Sequence, residues 1–86
     1  MSVEAALVKE QGVTFVVVPV KAHIFDSPRA WERLLPDCHR WWPGANVVFM
    51  ARREGQRIEY RGRPDIVRFL SKIPASALPW RRWSVH

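Results

Sequence analysis

The run Val13-Thr-Phe-Val-Val-Val-Pro-Val20 constrains this chain more than any other segment. It is β-branched and aromatic. Apart from Thr14 it is apolar on both alternating faces, the pattern of a central strand covered on both sides. Pro19 lacks an N–H, so regular pairing on one flank of that strand must fail near it. At 86 residues the chain has room for one small domain with a thin core. The five tryptophans give that core much apolar area per residue, and some ring surface is left for an interface. A homodimer that buries further apolar surface is one way for so small a domain to gain stability.

The elements around this strand follow from local signals. Val3 to Lys9 admits two readings. As a strand it joins Val13 to Val20 through a turn at Glu10-Gln11-Gly12, with Gly12 available for a positive φ. As a helix it is capped by Ser2 and shows Val3, Ala6 and Leu7 on one face. The turn residues fall directly between two apolar runs, which favours the strand. Ser27 supplies an N-cap oxygen and Pro28 suits a first helical position. Trp31, Leu34, Leu35, Cys38 and Trp41 or Trp42 then form one stripe. Pro36 interrupts the backbone bonding inside it, so a kinked helix is expected, ended by Pro43-Gly44.

Asn46 to Arg52 and Gln56 to Arg61 read as a hairpin turning at Arg53-Glu54-Gly55, and Ile58 and Tyr60 alternate with Arg57, Glu59 and Arg61. Pro64 and Asp65 open a final helix with Ile66, Phe69, Leu70 and Ile73 on its buried stripe, stopped by Pro74. The expected fold is α+β: a small mixed four-stranded sheet with two helices in ββαββα order over residues 1–74, with Trp31 and Phe69 buried. Residues 75–86 are a Trp/Arg-rich tail, either a short edge strand or an extended arm.

From Val13 to Ile73 the order is strand, helix, strand, strand, helix, with Pro43 shortly before the third of the expected strands. That order resembles the C-terminal half of the thioredoxin fold, in which a proline precedes a hairpin and a closing helix. The resemblance implies the fold and a structural, homodimeric role. It implies no redox activity, because the chain has no Cys-x-x-Cys and its one cysteine falls mid-helix.

Charge is the strongest functional signal. Residues 1–51 carry five cations against five anions, whereas residues 52–86 carry nine against three, so the whole net charge of +6 lies after Ala51. Clustered cations concentrate anything negative around them. Arg52, Arg53 and Arg57 gather at the hairpin tip, Arg61 and Arg63 continue along the outward strand face, and Arg81 and Arg82 sit between Trp80 and Trp83. Guanidinium groups suit bidentate contacts to phosphate or carboxylate, and tryptophans interleaved with them suit stacking on bases. These nine residues are the candidate site, and nucleic acid or an acidic protein is the expected partner.

Other chemistries find little support. Cys38 and His39 are consecutive on a helix, point about 100° apart and do not pair as thiolate and imidazole. His23, His39 and His86 lack metal-ligand spacing. The glycines are isolated, and Asp65 opposes an anion at the Gly62-Arg63-Pro64 helix start. No apolar run approaches the roughly 20 residues that span a bilayer, and no signal-peptide pattern opens the chain. The expectation is a cytoplasmic binding or accessory module, neither enzyme nor membrane protein, with no cofactor or metal.

Overall fold

In the computed structural model, which describes residues 1–27 and 29–86, the N-terminal segment is a strand. β1 (Ser2–Glu10) and β2 (Val13–Pro19) form an antiparallel hairpin that closes at Glu10 opposite Val13. Gln11 and Gly12 alone make the turn, both at positive φ (49° and 78°). A two-residue turn of that kind matches the twist of its flanking strands. β2 is the middle strand of the sheet. Its pairing with β1 ends at Val17, while β3 (Asn46–Arg52) runs parallel to it as far as Pro19 opposite Met50. The missing N–H of Pro19 therefore falls where β1 has already left the ladder. β4 (Ile58–Arg61) pairs antiparallel with β3.

A fifth strand corrects the expected architecture. β5 (Trp80–Ser84) pairs antiparallel with β1 from Ser2 opposite Ser84 to Ala6 opposite Trp80, giving the order β4-β3-β2-β1-β5. Among the described residues the sheet thus has five strands rather than four, because the edge of β1 that faces away from β2 is paired over Ser2–Ala6 by the Trp/Arg-rich segment. Three helices stand among the described residues where two were expected: α1 (His23–Asp26), α2 (Leu35–Trp41) and α3 (Pro64–Leu70).

The single kinked helix is corrected too. A residue that precedes proline is pushed out of the α region, and Ser27 is extended (φ −100°, ψ 119°), so it ends α1 instead of capping a longer helix. The expected placement of Pro28 lies outside the described residues. Farther on, a 3₁₀ turn over Glu32–Leu34 leads into α2, and Pro36 occupies the first turn of α2, where no N–H is required. The apolar stripe nevertheless reaches one destination. Trp31, Leu34, Leu35, Cys38, Trp41 and Trp42 all pack against Ala5, Val16 and Phe49 on one sheet face. The other face carries α3, with Ile66, Leu70 and Leu78 against Ala6, Phe15, Val17, Val48 and Met50.

β2 is covered on both sides as its composition demands. Trp31 and Phe69, expected to be buried, are half-buried, since each lies at the margin of its layer. Gly62, between β4 and α3, is a point of close approach. A Cβ there would lie 3.0 Å from the Val48 side chain and 3.1 Å from the Val47 carbonyl oxygen. No helix is long and apolar enough to cross a membrane among the described residues.

Candidate functional site

The nine candidate residues separate onto opposite edges of the sheet. Arg52, Arg53, Arg57, Arg61 and Arg63 surround the β3–β4 edge, whereas Trp80, Arg81, Arg82 and Trp83 form β5 at the other. Four strand spacings, roughly 19 Å, lie between the two edge strands.

At the β4 edge much of the positive charge is compensated. Arg53 Nη1 bonds Asp26 Oδ1 and its Nε bonds Glu59 Oε1, both at 2.9 Å. Glu59 Oε2 accepts from Arg61 Nε at 2.8 Å and lies 2.6 Å from Arg61 Nη2 in the same ion pair. The Arg61 guanidinium also lies 5.0 Å from the centroid of the Phe25 ring. Two cations and two carboxylates thus close a neutral chain that ties α1 to β4. Its hydrogen bonds from Arg61 and Arg53 hold the Glu59 carboxyl below its ordinary range. Arg63 is engaged as well, through two 2.8 Å bonds to Asp65 across the start of α3. That pair occupies the helix start at which an anion was considered. Arg52 and Arg57 differ. Both are exposed and neither has an ion pair among the described residues. Both flank a shallow depression of about 430 Å³ with Ala22, Arg53 and Glu54, and Arg57 also flanks a second of about 430 Å³ with Arg53, Ile58 and Glu59.

At the β5 edge the strand period of two sends neighbours to opposite faces. Trp83 and Arg81 lie on the α2 face, with the Arg81 guanidinium 4.9 Å from the Trp83 ring centroid. Trp80 packs on the α3 face. Each indole donates to a backbone oxygen: Trp80 Nε1 to Ala75 at 2.8 Å, and Trp83 Nε1 to Ala5 at 3.1 Å. The two rings are half-buried on different faces and make no common stacking platform.

Sequence reasoning missed what surrounds Trp83. Its ring meets Trp42 edge-to-face at 5.9 Å, and Trp42 meets Trp41 in the same way at 5.9 Å. Arg40 closes the far end, 5.9 Å from the Trp41 ring centroid. Trp41 Nε1 donates to the His86 backbone oxygen at 3.1 Å. This row of three indoles between two arginines lines a cleft of about 380 Å³ beside β5, with Ser84, Val85 and His86. Trp41 and Trp42 were legible as core stripe. Their contact with a strand some 40 residues away had no local signal.

The remaining candidates are quickly placed. Cys38 is buried, at 2% exposure, against the α2-side core. Burial, and secondarily the charge of Asp37, pushes its thiol up to about 11. His23, His39 and His86 are exposed. No group of three or more potential metal ligands forms among the described residues. No protein-family model, curated protein or solved structure matches the chain.

Proposed function

We propose that this chain is a small non-catalytic binding module that engages an anionic partner, a nucleic-acid backbone or an acidic protein, through its uncompensated arginines. One observation carries the reading. Asp26, Glu59 and Asp65 are taken up by Arg53, Arg61 and Arg63, while Arg52, Arg57, Arg68, Lys72, Arg81 and Arg82 form no ion pair among the described residues. Exposed cations without internal partners keep their field for a ligand and lose little desolvation energy on meeting one. Arg53, Arg61 and Arg63 then act as frame, and the contact falls to the free set.

The test is binding of the intact protein to single- and double-stranded nucleic acid and to polyglutamate across a salt series. The reading expects log affinity to fall linearly with log salt for a polyphosphate. Arg52→Gln with Arg57→Gln should flatten that slope more than Arg63→Gln does. No binding to any of these polyanions at low salt removes the reading.

A further inference from the structure

The outer edge of β5 is an open hydrogen-bonding edge, and its polarity can be assigned. Val85 N–H donates to the Met1 carbonyl at 2.9 Å. In an antiparallel ladder the bonded pairs alternate, so Val85, Trp83 and Arg81 bond inward to β1, while Ser84, Arg82 and Trp80 direct N–H and C=O outward. The Trp80 N–H turns back to Leu78 at 2.8 Å, as an outward donor without a strand partner does. Arg82 and Ser84 retain both outward groups. Alongside them the side chains run Trp80, Arg81, Arg82, Trp83, with one arginine and one tryptophan on each face. Glu4 stands opposite Arg82 in register without an ion pair, and the nearest polar contact of Arg82 is Ser2 Oγ at 3.5 Å. The opposite edge lacks this character: β4 has four residues, and Glu59 and Arg61 on it already neutralise one another.

We propose that β5 accepts an acidic extended peptide segment as a sixth strand, with the side-chain pattern apolar-acidic-acidic-apolar. The inference rests on the reading that the chain binds an anionic partner, and names that partner. The occupant follows from complementarity along the edge. Outward groups of Arg82 and Ser84 bond the incoming backbone. Carboxylates opposite Arg81 and Arg82 form cross-strand pairs, and apolar side chains opposite Trp80 and Trp83 cover half-buried indole. Because the pattern is palindromic, it suits either strand direction. A second copy of the chain is disfavoured. Antiparallel self-pairing must set outward-bonding residues opposite outward-bonding ones, so its central registers put Arg82 opposite Arg82 or Arg81 opposite Arg81, and like charges directly opposite destabilise a ladder.

The probe is a ten-residue peptide with a Val-Glu-Glu-Val centre and threonine flanks, added to the intact protein. Amide exchange by NMR is expected to slow at least tenfold at Arg82 and Ser84 and to stay unchanged at residues of β4. Replacing the two glutamates by lysine should abolish the effect. N-methylation of alternate peptide residues should abolish it in one phase and spare it in the other, since only one peptide edge faces β5. Arg82→Pro removes an outward N–H that β1 does not use and should abolish binding, whereas Arg81→Gln weakens it about two- to fivefold.

Equal effects of both N-methylation phases, or equal binding of the lysine peptide, overturn the inference. So does concentration-dependent protection of Arg82 without peptide, which indicates self-pairing. Protection by an oligonucleotide but not by the peptide overturns it as well. Polyanion binding that survives while the peptide fails leaves the broader reading standing, so the two failures are distinguishable.

Discussion

Replacing Trp83 separates a structural indole from a ligand-stacking one. In β5 its ring is half-buried on the α2-side core, edge-to-face with Trp42 at 5.9 Å, and its N–H reaches the Ala5 carbonyl at 3.1 Å. Truncation to alanine exposes or vacates roughly 100 Å² of apolar contact, about 2.5 kcal/mol at the usual area coefficient. Loss of the aromatic pair adds about 1 kcal/mol, and loss of the hydrogen bond about 1 kcal/mol. An edge strand relaxes more readily than a buried one, which trims the total to about 3–4 kcal/mol. A domain of this size has on the order of 4–13 kcal/mol of stability, so Trp83→Ala should lower the urea midpoint severely.

The melting temperature should fall by roughly 12 °C or more. Trp83→Phe keeps a ring in the site and loses the N–H, so it should cost about 1–2 kcal/mol. Equilibrium urea unfolding followed by far-UV circular dichroism measures both. If Trp83→Ala stays within about 0.5 kcal/mol of the parent, the seating derived for the ring is wrong. Weakened nucleic-acid binding in that same variant would return the indole to the role of a base-stacking group.

Gly62→Ala should destabilise by about 1–3 kcal/mol in the same assay, because the added methyl meets the Val48 side chain at 3.0 Å and two backbone atoms of the paired strand β3, Val47 O and Val48 Cα, at 3.1 and 3.2 Å. Cys38 should react with a disulfide reagent at pH 8 about a hundredfold more slowly in the native state than after unfolding, following the rise of its thiol from 9.0 to about 11. Since that raised value favours the neutral form in the folded protein, its contribution is complete below about pH 9 and is lost as pH rises through about 11. Glu59 has the opposite sign. Its lowered carboxyl stabilises the fold above the ordinary value of 4.5 and ceases to as pH falls through the lower native value, so Glu59→Gln should flatten the acid limb of stability against pH.

Much of the sheet is readable from local chemistry. β2 announces itself by being apolar on both faces, Gln11-Gly12 by its place between two apolar runs, and α3 by Pro64 and the Ile66–Leu70 spacing. The segment from His23 to Trp42 is harder, because two proline effects compete. Pro28 acts on the residue before it and extends Ser27, so the helical turn forms upstream at His23–Asp26. Pro36 becomes a helix starter once the preceding turn is 3₁₀. A stripe that keeps helical phase across Pro36 reports which face is buried; it does not report whether the backbone is continuous. The apolar pattern therefore located the α2-side core correctly while the expected helix boundaries failed.

Charge behaves differently, because a count of cations contains no information about compensation. Arg53 is neutralised partly by Asp26, 27 residues away in a segment whose own charge balance is even, and Arg61 by a neighbour two residues back on the same strand face. Neither pairing has a spacing that distinguishes it from accidental proximity. The Trp80-Arg81-Arg82-Trp83 segment is the instructive contrast. As an extended arm it leaves both indoles free to gather on one surface. As a strand its period of two divides them between faces, and the common stacking surface disappears by geometry alone. The decision between those readings rests on its pairing with Ser2–Ala6, about 80 residues away in sequence. Once that pairing exists, parity distributes one arginine and one tryptophan to each side of an open edge. That alternation along an open edge is the pattern on which the proposed docking of an acidic strand rests.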